Sequence, residues 1–229
     1  MIELSSQQDY WNSRAEKWSS YDAPLVPGQQ DLDFMREYLK LDGDSLIIGA
    51  TPELCSLALE VSNTVTAVDY AKNIIEALSI EGVSYECMDW NQFFEQDSRQ
   101  FDNIMTDGGL VCLEFPQTWQ QLADNISTHL RPGGVFAARV YLSTPEPPED
   151  NYENPNLARF VTSIVEADNN WMVHPKHGDY ERYDVRYAFP PEQEVRQTFE
   201  AAGQLALIGR LIPDYEEGKR FISYAWLHP

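Results

Sequence analysis

The sequence predicts a doubly wound α/β domain whose sheet is mostly parallel and ends in an antiparallel hairpin. Three observations carry this. A chain of 229 residues suits one such domain, or one with a sizeable insertion, better than two separate cores. From Asp44 to Tyr141 short apolar runs alternate with helical stretches, the pattern of strands joined by crossover helices. Near the C-terminus two apolar runs flank Pro213-Asp214-Tyr215-Glu216-Glu217-Gly218, a turn too short to join any but antiparallel neighbours.

The first element is a helix expected over Ser6 to Trp18, capped by Ser5 or Ser6, with Trp11, Arg14 and Trp18 on one face. A second helix runs from Gln29 to Leu39, gathers Leu32, Met35 and Leu39, and is closed by Gly43. Residues 1–43 therefore read as a helical cover. The core, 44–142, opens with Ser45 to Ile48, whose Leu-Ile-Ile run suits a strand buried on both faces. Pro52 to Val61 is a helix, Thr64 to Val68 a strand, Ala71 to Leu78 a helix and Val83 to Cys87 a strand. Asn103 to Thr106 and Gly134 to Tyr141 are two more strands. The helix between them, Pro116 to Leu130, turns Trp119, Leu122, Ala123 and Ile126 inward. An insertion, 143–189, follows the fifth strand. Its first part, Ser143 to Pro155, is too rich in proline and acid for a core strand or helix. Residues 190–229 complete the single domain with a helix from Pro191 to Ala202, stopped at Gly203, and strands Leu205 to Ile212 and Arg220 to Trp226.

A hydrophobic fraction of 43% with 23% charged residues is that of an ordinary globular chain, which excludes general disorder. The net charge is −21, from 37 acids against 16 bases, and no run of Lys or Arg occurs. A nucleic-acid enzyme shows the opposite, a basic face that neutralises phosphates. The acidity serves solubility, or it also favours cationic or neutral substrates; nucleic acid and anionic membrane are not expected partners. Cys55, Cys87 and Cys112 are odd in number and lack a paired spacing for zinc or a redox centre, so they read as buried free thiols and no metal site is expected. Glu3 stands where a secretory leader carries a base, and no stretch approaches the roughly 18 apolar residues of a membrane span. A cytoplasmic location is the expectation.

In an open parallel sheet, ligands bind beyond the carboxyl ends of the strands, where the strand order reverses. After the first strand comes Gly49-Ala50-Thr51-Pro52-Glu53-Leu54. Gly49 and Ala50 let the backbone approach a ligand, Thr51 suits an N-cap and Pro52 the first helical position. The same features also describe an ordinary strand-to-helix turn. Asp69 ends the second strand, where an acid can accept both hydroxyls of an adenosine ribose; Tyr70 beside it offers an aromatic face. Asp69 could equally cap the next helix. Asp89 and Trp90 follow the third strand: a carboxylate able to accept from an adenine amino group, and an indole able to cover a purine or to pack on a neighbouring helix. Asp107-Gly108-Gly109 follows the fourth, with glycines that allow close approach of backbone to a ligand.

Taken together these segments resemble the class I S-adenosylmethionine-dependent methyltransferase superfamily, whose sheet is Rossmann-like. Gly49-Ala50-Thr51 falls where that family has its glycine-rich loop, and Val68-Asp69 where it has the ribose-binding acid. Met88-Asp89-Trp90 matches the adenine-contacting segment, and Phe101-Asp102-Asn103-Ile104 the Phe-Asp pair leading the fourth strand. Leu130-Arg131-Pro132-Gly133-Gly134 matches the turn before the fifth strand. Tyr10-Trp11-Asn12-Ser13-Arg14-Ala15 is similar to an N-terminal cover that many members place over the cofactor. The resemblance implies that Trp11 and Arg14 approach the methionine end, Arg14 pairing its carboxylate. The set runs from about Tyr10 to Tyr141 and is fairly specific as a set, though each piece alone is weak. It departs from the family at Thr51 and Glu53, which replace the second and third glycines, and at Ile47, where members often carry an acid for the methionine amino group. A branch whose loop reads Gly-x-Thr-Pro-Glu-Leu, with Asp-Trp and Asp-Gly further on, is similar in these respects.

The reading is methyl transfer from S-adenosylmethionine to a small-molecule or peptide acceptor. The insertion from Ser143 to Val185 is expected to cover the acceptor, with His174 and His177 as candidate proton acceptors among Trp171, Asp179, Tyr180 and Tyr183; a satellite core is the plainer explanation of these residues. Thr106-Asp107-Gly108-Gly109 is not the Asn/Asp-Pro-Pro-Tyr clamp of base-amino methylation. Two alternatives stand beside this: an NAD-dependent oxidoreductase, although Gly-x-Gly-x-x-Gly is missing, and a non-catalytic module that binds cofactor weakly or binds a partner.

Overall fold

Leu46, Ile47 and Ile48 are consecutive and fully buried, which a strand permits only when both faces of its sheet are covered. They lie in strand β1 (Gly43–Ile48) of the computed structural model, which describes residues 7–141, 163–167, 170–174, 187–215 and 221–229. Alternation along the strand sends Leu46 and Ile48 into one apolar layer and Ile47 into the other. The first layer is closed by α5 (Trp90–Gln96), α6 (Gln117–His129) and α7 (Glu192–Ala201), through Phe93, Trp119, Leu122, Ile126 and Phe199. The second is closed by α2 (Gln29–Tyr38) and α3 (Pro52–Val61), through Met35, Leu54, Leu57 and Ala58. Helices on both faces make the domain doubly wound, as predicted.

The other strands of the main sheet are β2 (Ser62–Asp69), β3 (Val83–Cys87), β4 (Phe101–Asp107), β5 (Leu130–Tyr141), β9 (Ala206–Leu211) and β10 (Phe221–Leu227). Their order is β3-β2-β1-β4-β5-β10-β9. β1 to β5 are parallel; β10 runs antiparallel between β5 and β9, so the terminal hairpin forms as expected. Strand order reverses between β1 and β4, which is where such a sheet opens a crevice. A second sheet, β6 (Ser163–Ala167), β7 (Asn170–His174) and β8 (Tyr187–Phe189), is antiparallel and comes from the insertion.

Several expectations need correction. The N-terminal helix α1 (Gln7–Arg14) stops early, and Trp18 lies in a 3-10 turn over Ala15–Ser20; the proposed caps Ser5 and Ser6 lie outside the described residues. Helix α5 had no counterpart in the sequence reading. Asp89 is its N-cap, accepting from the Asn91 N–H at 2.9 Å. The remaining helix, α4 (Lys72–Leu78), is one residue shorter than expected. At the end of α7 the left-handed residue is Gln204 (φ 51), not Gly203. The Leu205 N–H bonds the Phe199 carbonyl across that turn, and Gly203 is demanded by space, since a Cβ there would lie 2.8 Å from the Phe199 oxygen.

The segment Arg131-Pro132-Gly133-Gly134, expected as a turn, forms the start of β5, at the end of the sheet opposite the crevice. There Arg131 pairs with Asp102 and, at 2.8 Å, with Asp44, tying together the starts of β5, β4 and β1. That part of the sequence signature is structural.

Candidate functional site

The loops after β1, β2, β3 and β4 open into one cavity of about 580 Å³, within the range of small-ligand sites. Gly49, Ala50 and Thr51 enter it from β1, Asp69 and Tyr70 from β2, Asp89 and Trp90 from β3, and Asp107 and Gly108 from β4. Trp11 and Arg14 close it from α1. All the residues predicted for cofactor binding therefore meet in one place.

Backbone geometry shapes the floor. Gly49 has φ +91 and Gly108 φ +63, left-handed values that a side chain resists. Thr51 occupies the N-cap position of α3 with Pro52 at the first turn, but its side chain makes no capping bond. Asp69 is held by two backbone donors, Ala50 N–H to Oδ2 at 3.0 Å and Ala71 N–H to Oδ1 at 2.8 Å. It lies on the cavity wall and does not cap α4, whose N-cap is Ala71. Burial pushes its carboxyl pKa up, and these two N–H bonds oppose the rise. Each oxygen has a second lone pair for a further donor. Trp90 donates from Nε1 to the Val68 carbonyl at 3.2 Å and packs against the larger apolar layer while lining the cavity.

Helix α1 is fastened over this side of the crevice by an apolar cluster, in which Trp11 and Ala15 pack with Ala50, Ala71 and Ile74, and by polar contacts. Gln8 Nε2 donates to the Tyr70 carbonyl at 2.6 Å, and the Asn73 N–H to Asn12 Oδ1 at 2.9 Å. The buried Arg14 guanidinium donates to Tyr21 Oη at 2.7 Å and Tyr10 Oη at 3.2 Å and sits 4.8 Å from the Tyr10 ring centroid. Cys112 also lines the cavity; burial and the neighbouring Asp69 charge push its thiol up to about 12, which keeps it protonated and unreactive.

Asp107 is engaged differently from expectation. Arg139, at the end of β5, pairs with it through Nε at 2.5 Å and donates from Nη1 to the Pro24 carbonyl at 2.9 Å. Both side chains are buried, 1% and 4% exposed. Burial pushes the Asp107 carboxyl up, opposed by the Arg139 charge. Arg139 was missed in the sequence, although a lone arginine inside Val-Phe-Ala-Ala-Arg-Val is a signal, because a buried charge requires a partner. Tyr21, Pro24, Leu25, Tyr141, Phe189 and Phe221 were missed too. No local pattern marks them, since their meeting depends on four separate segments. His174 ends β7, but its side chain, and all of His177, lie outside the described residues. Among the described residues no group of three or more His, Cys, Asp or Glu is placed to hold a metal ion, and no helix is long and apolar enough to cross a membrane.

No protein-family model matches the chain, and no curated protein sequence matches it. Solved structures do. The N-methyltransferase NodS from Bradyrhizobium japonicum WM9, in complex with S-adenosylhomocysteine, is 16% identical with a TM-score of 0.59, covering 95% of this chain and 98% of that one. The 1,6-didemethyltoxoflavin-N1-methyltransferase of Burkholderia thailandensis, with 1,6-didemethyltoxoflavin and S-adenosylhomocysteine bound, is 16% identical with a TM-score of 0.63, covering 96% and 86%. A protein described as a putative Zn-dependent alcohol dehydrogenase from Rhodobacter sphaeroides is 14% identical with a TM-score of 0.69, covering 96% and 97%. At these identities the likeness establishes a shared fold, the Rossmann-like sheet with its antiparallel end.

Proposed function

We propose that this chain transfers a methyl group from S-adenosylmethionine to a small-molecule or peptide acceptor. The observation that carries the proposal is the convergence of Gly49, Asp69, Trp90, Asp107 and Arg14 on one crevice at the strand-order reversal. Structures of the same fold with S-adenosylhomocysteine bound support it. Asp69 is the group for the ribose hydroxyls, its oxygens already oriented by Ala50 and Ala71. Asp89 and Trp90 suit the adenine, the Gly49–Thr51 backbone the sulfonium arm, and Arg14 the methionine carboxylate. When bound, the sulfonium supplies an electrophilic methyl carbon. The chain's own contribution is alignment and exclusion of water, the latter through α1 and the strand β8. For a hydroxyl acceptor, His174 and His177 are the proposed proton acceptors; single alanine variants with unchanged turnover would remove them.

Thermal unfolding with S-adenosylhomocysteine, S-adenosylmethionine and NAD tests the reading. Either adenosyl ligand at a hundred times its Kd adds about 2.7 kcal/mol to stability, a rise in Tm of roughly 5–10 °C for a chain of this size. Stabilisation by NAD alone would favour the oxidoreductase, and no response to any ligand the non-catalytic module.

A further inference from the structure

The crevice has two chemically different halves. Over β3, β2 and β1 it presents Asp89, Asp69 and backbone N–H groups beside Trp90 and Tyr70; over β5 and β10, beyond the Asp107–Arg139 pair, it presents a wall of rings. Tyr141 and Phe221 are register partners on β5 and β10, with centroids 4.8 Å apart, and Phe189 reaches in from β8 to 4.5 Å from Tyr141. Pro24 and Leu25 extend the apolar wall. Asp69 on β2 and Tyr141 on β5 are three strand steps apart, about 14 Å across the sheet. A nucleoside held at Asp69 therefore leaves the ring-lined half for a second molecule.

The charges in this half decide what that molecule is. The Arg139 guanidinium lies 4.4 Å from the Phe221 centroid and is neutralised by Asp107. Over Phe221 a cation would meet Arg139 on the ring face it needs. Among the described residues of this half, an anion could gain a cationic partner only by taking Arg139 from Asp107, and breaking a buried pair is costly. A flat neutral ring meets neither obstacle and gains stacked or edge contacts with Tyr141, Phe189 and Phe221.

We infer that the half of the cavity walled by Tyr141, Phe189 and Phe221 is the acceptor subsite, and that it takes an uncharged, planar aromatic molecule bearing a ring hydroxyl or ring N–H. This rests on the methyl-transfer reading above. The ring heteroatom's lone pair forms the bond to the methyl carbon, the carbon–sulfur bond breaks with its electron pair left on sulfur, and the ring's proton is lost, from a hydroxyl to the proton acceptor proposed above and from a ring N–H to water once the product is released.

The test is calorimetric titration of the full chain, first with S-adenosylhomocysteine, then of the saturated complex with three flat bicyclic probes: 2-naphthol, 2-naphthoate and N-methylquinolinium. The neutral probe is expected to bind at least tenfold tighter than either charged one. Tyr141→Ala is expected to weaken 2-naphthol at least tenfold while S-adenosylhomocysteine affinity stays within twofold. Phe189→Leu, which keeps apolar volume and loses the ring, is the second variant should Tyr141→Ala fail to fold. A charged probe binding as tightly, no naphthol binding to the saturated complex, or unchanged affinity in a folded variant overturns the subsite while the methyl-transfer reading stands. Absence of S-adenosylhomocysteine binding in the first titration overturns both.

Discussion

Asp69 keeps a carboxylate where burial penalises its charge, and two backbone N–H groups hold both its oxygens in place. Its pKa in the folded chain is raised, so the folded state binds a proton at pH values where an unfolded aspartate has lost it. Stability from this group is thus present below the ordinary carboxylate pKa and lost as pH rises through the raised value. Ligand binding runs the other way, because a ribose hydroxyl needs the ionised acceptor. S-adenosylhomocysteine affinity is therefore expected to fall as pH is lowered through the raised pKa, before ordinary carboxylates titrate. Asp69→Asn is expected to cost tenfold or more in affinity at neutral pH, since a hydrogen bond to a charged group contributes about 1.5–3 kcal/mol, and to flatten that limb. Calorimetry from neutral pH down to about 4, the ordinary aspartate value, checks both; a wild-type profile no steeper than that of Asp69→Asn would remove Asp69 from the ribose. Asp69 was legible because strand-end acids follow from the topology. Arg139 was less so, because its meaning depends on Asp107 and Pro24, far away in the chain.

Helices with a clear apolar period were readable nearly to the residue; α3 was expected over Pro52 to Val61 and occupies that span. Helix α5 was missed because Asn91-Gln92-Phe93-Phe94-Glu95-Gln96 is short and its period is slight, and the Asp89 that caps it was assigned only to ligand. The end of α7 separates two explanations of one glycine. Gly203→Ala is expected to destabilise, since its Cβ would crowd the Phe199 and Ala123 carbonyls at 2.8 and 3.1 Å. Gln204→Gly is expected to stabilise by up to about 1 kcal/mol, because a left-handed residue with a Cβ carries a penalty of that order. Urea denaturation of both variants checks the pair, and the reverse signs would restore Gly203 as the left-handed stop.

The whole molecule is a doubly wound core with a cover fastened by a small apolar cluster and by polar bonds. Over residues 7–20 the cover buries Tyr10, Arg14 and Ala15, and it rests on a small apolar cluster, Trp11, Ala15 and Trp18 against Ala50, Ala71 and Ile74, besides the Gln8 and Asn12 contacts to the β2–α4 region. A terminal segment held by one small apolar cluster opens locally at lower free energy than the fully buried central strands. Amide exchange across residues 7–20 is expected to be faster than in β1 and β4, and to slow when S-adenosylhomocysteine binds while the central strands stay unchanged. Equal protection with and without ligand would detach the cover from the site.

Fold class, the order of strands and helices, and the acids at the ends of β2, β3 and β4 follow from the sequence alone, because hydrophobic period and turn chemistry are local properties of a chain. The pairing of Asp107 with Arg139, the engagement of Arg14 by two tyrosines, and the ring wall of Tyr141, Phe189 and Phe221 were decided only by tertiary structure. Each joins residues from separate elements, and no spacing along the chain encodes which strand ends a sheet will bring together.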